Sequence, residues 1–260
     1  MSLSRIWATC LRYFYFFAQL ETFAELLFWP LIDVLLWGLT GVWVQKSGDN
    51  IPEIALVILT ALVFWQIMWR TSYEITVNLL REYWERNLVN LFSTPLKVSE
   101  WMSAVLVTGL TKTLFNIGFS SLIIFLFYKL NVFTIQWAFL PYAALLCVSG
   151  WAVGFFTAGI LALYGQRMQM LAWMTPFAVA PFSAIFYPLA TLPAWAQKIA
   201  LCLPTTYIFE GMRALLFEGT FSMHSIWMSL FLNIFYLVAS IFFFKRMFEK
   251  SRNKGLARLE

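Results

Sequence analysis

Charge is scarce in this chain. Of its 260 residues only 12% are Asp, Glu, Lys or Arg, about half the roughly 25% usual in soluble domains. A soluble fold of this length buries only part of its chain. With 61% hydrophobic residues it would leave too much apolar surface in water, so the bilayer is the solvent these side chains require. Histidine is nearly absent: His224 stands alone, which excludes a multi-histidine metal site within one chain. Cysteine is confined to Cys10, Cys147 and Cys202, with no CxxC pair, so neither a zinc site nor a disulfide framework is indicated. There is no GxxxxGK[ST] loop, no HExxH and no GxSxG, so the chain has no phosphate loop for ATP and no common hydrolytic signature. An intramembrane enzyme needs a nucleophile or metal with a positioned base, and no cluster of such residues is evident. The first apolar stretch is interrupted by Arg5 and Arg12 and no small-residue cleavage pattern follows it, so it does not read as a signal peptide.

What the chain has in abundance is long apolar runs and aromatic rings, the latter 19% of residues. Many Trp and Tyr residues fall near the ends of the runs, where amphipathic rings settle at the lipid–water boundary. The reading is an all-α integral membrane protein, one domain over residues 1–260, with six transmembrane helices of about 20 residues or more. These run roughly Thr22–Val44, Glu53–Val77, Trp101–Tyr128, Gln136–Tyr164, Met170–Tyr187 and Ile226–Phe244. Before them, residues 1–20 form an amphipathic interfacial helix. Leu3, Ile6, Trp7, Cys10, Leu11, Phe14 and Phe17 recur at helical spacing opposite Ser4, Arg5 and Arg12, as in a helix lying in the interface plane. A loop at 45–52 joins the first two spans. Residues 188–221 are broken by Pro188, Pro193 and Pro204 into pieces too short to span, and read as short external re-entrant helices, whose backbone must face protein or water. Residues 245–260 form a basic cytoplasmic tail.

Orientation follows from the 18 Lys and Arg residues. A cytoplasmic N-terminus places Arg5, Arg12, Arg81, Arg86, Lys97, Arg167 and the six basic residues from Lys245 to Arg258 inside, against Lys46, Lys129, Lys198 and Arg213 outside. Arg70 and Lys112 fall within spans. This is a positive-inside distribution, and it puts both termini in the cytoplasm.

The segment 78–100 joins the second and third spans on the cytoplasmic side and carries Arg81, Glu82, Glu85, Arg86, Lys97 and Glu100. Leu88, Leu91 and Phe92 recur at helical spacing within it, and Pro95 ends that helix at or before Thr94. It is either a solvated connection or a short rigid helix presenting apolar knobs among charges to another protein. Glu21, Glu25 and Asp33 share one face of the first span. Ionisable groups in a span mark a functional site by default. Asp33 is either part of a substrate path or gate or one half of a structural pair, with Lys112 a candidate partner for one of these acids. Arg70 and Glu74, four apart, read as a structural pair. The Gly150–Gly154–Ala158 stripe permits close helix approach in lipid, within one chain or between chains. Glu210 and Arg213 either pair with each other or meet a polar substrate head. Phe182, Phe186, Tyr187, Trp195 and Tyr207 are either interface anchors or an apolar exit gate.

Two stretches carry a resemblance. WERNLVNLFSTPL at 84–96 looks like the cytoplasmic coupling segment of the type-2 ATP-binding-cassette exporter permeases. The stretch 181–219 resembles the same family's pattern after the fifth span. Its elements are Phe186-Tyr187-Pro188, Leu192-Pro193 with Trp195, Leu203-Pro204 and then Arg213. The resemblance covers essentially the whole chain, including its length, the amphipathic N-terminal helix and the six-span layout, and the two stretches stand in the family's order and spacing. The sequence departs from the family where a Gly-Thr-Leu-Glu run usually precedes the (Ser/Thr)-Pro; here the neighbourhood reads Arg86-Asn87-Leu88-Val89.

The resemblance implies a non-catalytic transport subunit of the bacterial inner membrane. Two permease chains, as a homodimer, would work with separate ATPase subunits that hold the ATP and Mg. It further implies that Glu85, Arg86, Asn87, Leu88, Leu91, Phe92 and Pro95 form the ATPase-coupling surface. Read from the residues themselves rather than from the resemblance, Glu25, Asp33, Phe182, Phe186, Tyr187, Trp195, Glu210 and Arg213 are the candidates for a substrate path or gate. An amphiphilic, lipid-like, glycan or drug cargo fits such a subunit. An intramembrane lipid-modifying enzyme and a non-transporting membrane scaffold are the alternatives: the first demands clustered catalytic side chains at one depth, the second needs no ATPase.

Overall fold

Apolar side chains that outnumber polar ones so heavily leave the backbone one economical way to satisfy its own polar groups in lipid, the α-helix. Among the described residues every regular element is helical. The computed structural model describes residues 1–17, 19–47 and 54–255, without the side chains of Glu21 and Ser47. Most of the expected loop 45–52, the expected start of the second span at Glu53 and the end of the basic tail with Arg258 lie outside the described residues.

Helix α1 spans Leu3–Phe17 and α2 spans Leu20–Ser47, with Pro30 inside it. Helix α3, Ile54–Trp84, runs two turns beyond the expected Val77. The polar residues at its end are held by partners rather than solvated: Asn78 Nδ2 donates to Glu74 O at 2.7 Å, and the carboxylate of Glu82 is fully buried. The short α4, Leu88–Ser93, stops where Pro95 requires, with Thr94 extended. Helix α5, Val98–Tyr128, ends on Lys129 in the left-handed region (φ 58°), whose N–H donates to Phe125 O. A 3-10 segment, Val132–Ala138, broken at Gln136, leads into α6, Phe139–Tyr164. Gly165 (φ 68°) makes the turn out of α6, a conformation glycine adopts without penalty.

The expected fifth span, Met170–Tyr187, takes a different form. Helix α7 covers only Leu171–Val179 and continues as one 3-10 turn, Ala180–Phe182. Pro181 supplies no N–H to prolong it, and Ala184 turns the chain with φ 52°. Twelve residues, Leu171–Phe182, rise about 18 Å, short of the roughly 30 Å hydrocarbon core. Residues 188–221 hold α8, Ala194–Ala200, and α9, Pro204–Glu218, bent by 99° between them. Helix α10, Met223–Asn253, carries the expected sixth span on into the basic tail. Phe248 and Ser251 are buried there, so the tail's start is a packed helix face. Five helices among the described residues are long and apolar enough to cross a membrane: Thr22–Lys46, Ile54–Trp84, Val98–Tyr128, Val132–Met168 and Met223–Asn253.

Helix α3 is the centre of the bundle, buried along nearly its whole length. The glycine stripe of α6 lies against it. A Cβ on Gly150 would sit 1.9 Å from Thr71 Oγ1 and 2.5 Å from the Met68 carbonyl oxygen, and one on Gly154 would meet the Ser72 backbone. The stripe is therefore an internal contact, where small residues let two backbones approach. Side-chain hydrogen bonds fix the other pairs. Ser149 Oγ donates to Asn233 Oδ1 at 2.7 Å and Asn233 Nδ2 to Leu145 O at 3.1 Å, joining α6 to α10. Ser120 Oγ donates to Gln66 Oε1 at 2.7 Å, joining α5 to α3.

Candidate functional site

Two features of the bundle combine chemistry with placement. The first is at the end where α3, α4, α5 and α1 meet. Arginines on an amphipathic helix need anionic partners when that helix lies against protein, and α1 finds them at both ends of the segment 82–100. Arg12 donates to both carboxylate oxygens of Glu82 (3.2 and 3.1 Å) and to Glu85 at 2.9 Å. Arg5 donates to Glu100 at 2.8 Å and to the Pro95 carbonyl at 2.9 Å. Glu100 also accepts the backbone N–H groups of Ser2 (2.7 Å) and Lys97 (3.0 Å). Glu82 also accepts from Tyr13 Oη at 3.1 Å and from Asn87 Nδ2 at 2.7 Å. Trp101 Nε1 in turn donates to Tyr13 Oη at 2.7 Å. Burial and the neighbouring Glu82 carboxylate push the Tyr13 phenol well above its usual pKa, so it is a standing donor. Charge-assisted bonds of this kind are the stronger class. The helix α1 is thus strapped to α3, to α5 and to the segment between them.

The side chains of that segment divide between two faces. Leu88 is fully buried, and Leu91 and Phe92 pack partly buried against the core, the Phe92 ring 4.6 Å from that of Phe248 on α10. This corrects the expectation of outward apolar knobs: Leu88, Leu91 and Phe92 are the segment's attachment to the bundle. The outward face is polar, with Glu85, Arg86, Asn90, Ser93, Thr94 and Pro95 exposed and Asn87 half-buried over Glu82. Arg86 turns the chain with φ 51°. Trp84 Nε1 donates to Gln169 Oε1 at 3.2 Å, so the turn between α6 and α7 lies at this same end. Removal of the Glu82 carboxylate takes the acceptor from Tyr13 and Asn87 and leaves Arg12 with Glu85 alone. For Glu82→Ala we expect a loss of about 1–3 kcal/mol, read as a lower melting temperature of the purified chain, whereas Glu85→Ala, exposed and singly paired, costs at most about 1 kcal/mol.

The second feature lies among α2, α3 and α7. Glu25, Trp29 and Asp33 stand four residues apart on α2, and Trp65 and Trp69 four apart on α3, so each set forms one stripe. With Gln66, Trp173 and Phe177 they line a cavity of about 310 Å³. Glu25 accepts from Tyr73 Oη at 3.0 Å. Lys112, expected as a partner of the α2 acids, bonds instead to Glu74 at 2.7 Å. Glu74 also meets Arg70 at 3.6 Å, the expected i,i+4 pair. The buried triad Arg70–Glu74–Lys112 therefore absorbs Lys112 and leaves Asp33 without an ion pair among the described residues. A second cavity, about 320 Å³ between α6, α7 and α10, is lined by residues such as Ala152, Val153 and Phe156 and by no charged side chain.

The remaining expected site residues do not converge on one point. Phe186 stacks on Trp37 of α2, centroids 4.1 Å apart, while Phe182 meets Trp195 edge-on at 6.1 Å. Tyr187 Oη donates to Pro181 O. Arg213, buried, pairs with Glu210 and donates to the carbonyls of Ala184 (2.7 Å) and Ile185 (3.2 Å), while Glu210 accepts the Leu189 N–H at 2.9 Å. This pair ties the strained turn at Ala184 to α9, a structural use that occupies its polar atoms. Arg213→Met is expected to release that turn and cost about 1–3 kcal/mol, measured as a lower melting temperature. Sequence reasoning passed over Tyr13 and Trp101 in the strap and the tryptophans of the cavity, and it took Glu82 and Glu100 only as charges of the segment 78–100. The spacing of four in Glu25-Trp29-Asp33 and Trp65-Trp69 was the available signal for the tryptophans.

No family model matches the chain and no curated protein matches it.

Proposed function

We propose that this chain is the membrane permease subunit of an ATP-driven exporter, moved by a separate ATPase that docks on residues 84–97. The observation that supports this most is the two-faced construction of that segment. Its outer face is exposed and polar, suited to a partner that comes and goes. Its inner face is fastened to α1 by Arg5 and Arg12, to α3 by Asn87–Glu82 and to α10 by Phe92–Phe248. A push on such a segment is transmitted to these three helices as one body, whereas a solvated connection would yield. The resemblance of residues 84–96 and 181–219 to type-2 exporter permeases supports the same reading.

In this reading α1 lies in the cytoplasmic interface, with Leu3 and Trp7, both largely exposed, toward lipid. The end of the bundle bearing Arg5, Arg12, Arg86, Lys97 and Arg167 faces the cytoplasm, as the positive-inside rule requires. The chain's sixth crossing is shared between α7, rising part-way, and the bent pair α8–α9, re-entering from outside. Two chains pair with two ATPase subunits, which carry the ATP and Mg. ATP reorients the spans only insofar as the transport states bind the ATPase differently.

The test separates docking from transmission. Asn90→Arg with Ser93→Arg alters only exposed positions; we expect a stably folded chain that no longer co-purifies with its ATPase. Phe92→Ala removes the ring packed on Phe248; we expect the ATPase to remain bound while transport of cargo falls at least about tenfold relative to ATP hydrolysis. A chain that purifies alone with unchanged membrane activity refutes the proposal.

A further inference from the structure

The cavity between α2, α3 and α7 has a chemistry that selects a ligand. Four tryptophans, Trp29, Trp65, Trp69 and Trp173, are among its lining residues. Aromatic faces attract cations, tryptophan best of all, and the attraction strengthens when water is excluded. Asp33 projects into this setting with no ion pair among the described residues. A carboxylate in a span is costly unless it finds a partner or faces a water-filled path. Gln66 provides a separate indication. Its side chain is 5% exposed and its Oε1 is engaged by Ser120. That leaves Nε2, beside Asp33, with no hydrogen bond of normal geometry. Buried polar atoms are nearly always satisfied, and the neutral amide of Gln66 gives the Asp33 carboxylate a polar neighbour but no counter-charge, which the cavity has room to supply.

The neighbouring cations do not fill it. Arg70 lies over Trp69 and Tyr73, 5.2 and 5.8 Å from their ring centres, and is directed to Glu74 with Lys112. Glu25, at the other end of the cavity, is held by Tyr73 and borders the pocket that contains Arg70, Lys112 and Arg81. The Asp33 end is thus the anionic end, and the volume, about 310 Å³, is at the lower bound of small-molecule sites.

We propose that this cavity binds a hydrophobic organic cation, an ammonium-type centre set against Asp33 with its apolar body among the tryptophan rings. This rests on the exporter reading only where it names that cation as cargo; the binding itself does not depend on an ATPase.

The experiment uses the full chain in lipid nanodiscs and benzyltrimethylammonium as the probe, with uncharged neopentylbenzene, of the same shape, as the control. Equilibrium dialysis should show saturable binding of the cation and only unsaturable partitioning of the neutral molecule. D33N should weaken the cation at least about tenfold, and Asp33→Glu should retain most of the affinity. Trp29→Leu, at the cavity's exposed rim, should weaken it several-fold and serves if D33N does not fold. Equal binding of the two probes, or cation binding unchanged in D33N and in Trp29→Leu, overturns the proposal. Such a failure leaves ATPase docking on 84–97 unaffected, and a failure of docking leaves cation binding intact, so the two are told apart.

Discussion

Glu74→Gln is expected to destabilise the folded chain by about 3–5 kcal/mol, the usual consequence of removing one partner from a buried ion pair. The carboxylate is fully enclosed and lies 2.7 Å from Lys112 Nζ and 3.6 Å from Arg70 Nη1. It is the only anion in direct contact with either cation among the described residues. An isosteric amide keeps the shape and removes the charge, leaving two cations in a low-dielectric bundle. The fall in melting temperature should be roughly 10 °C for a chain of this size, read by loss of monodispersity on heating in detergent. Lys112→Met in the same background should recover part of the loss, because one uncompensated cation is cheaper than two. A single variant that melts with the parent would show that the triad is hydrated and contributes nothing.

Gly150→Ala is the second large effect. The added methyl group would stand 1.9 Å from Thr71 Oγ1 and 2.5 Å from the Met68 carbonyl oxygen. Thr71 has little freedom to turn away, since its hydroxyl is bonded to the carbonyls of Ile67 and Met68, and the Met68 oxygen is backbone. Helices α3 and α6 must separate, which costs about 1–3 kcal/mol or more by overpacking. Gly118→Ala provides the control: a Cβ there meets nothing within 4 Å, and alanine is the better helix former by up to about 1 kcal/mol. The same chemical change should therefore move stability in opposite directions at two positions, measured side by side by thermal melting.

The comparison of sequence with structure divides along physical lines. Features set by local rules were legible. Pro95 ends α4 where a residue before proline leaves the helical region. Arg70 and Glu74 pair because they are four apart on one helix. Residues 22–44 and 101–128 lie within the observed α2 and α5. Features set by tertiary partners were not. Residues 78–84 look like a solvated loop because they are polar, yet they extend α3, since Glu82 finds Arg12, Tyr13 and Asn87. Leu88 looks like a docking knob because it sits among charges, yet it is core. Lys112 had three acids to choose from by composition, and geometry gave it a fourth, Glu74. The overlong fifth span is different in kind: Pro176 and Pro181 stood in the run and foretold the break after Val179 that apolar content alone concealed.

The strap by α1 bears on how the candidate site works. Arg5 and Arg12 fix both ends of the segment 82–100 to one short helix, so residues 84–97 behave as a rigid handle on α3 and α5. The cavity with Asp33 lies along the same α3 whose end that handle grips. Reorienting α3 against α2 and α7 would change the cavity that these three helices enclose, which is the simplest physical link between the proposed partner at one end of the bundle and the proposed ligand within it.

The most direct measurement is purification of the tagged full-length chain from its native membranes in mild detergent, followed by assay of ATP hydrolysis in the eluate. The account predicts a co-eluting subunit with a phosphate loop and vanadate-sensitive hydrolysis, both lost when Asn90 and Ser93 are changed to Arg while the chain remains monodisperse. Elution of the chain without an ATPase, or hydrolysis that persists unchanged in that variant, would contradict it.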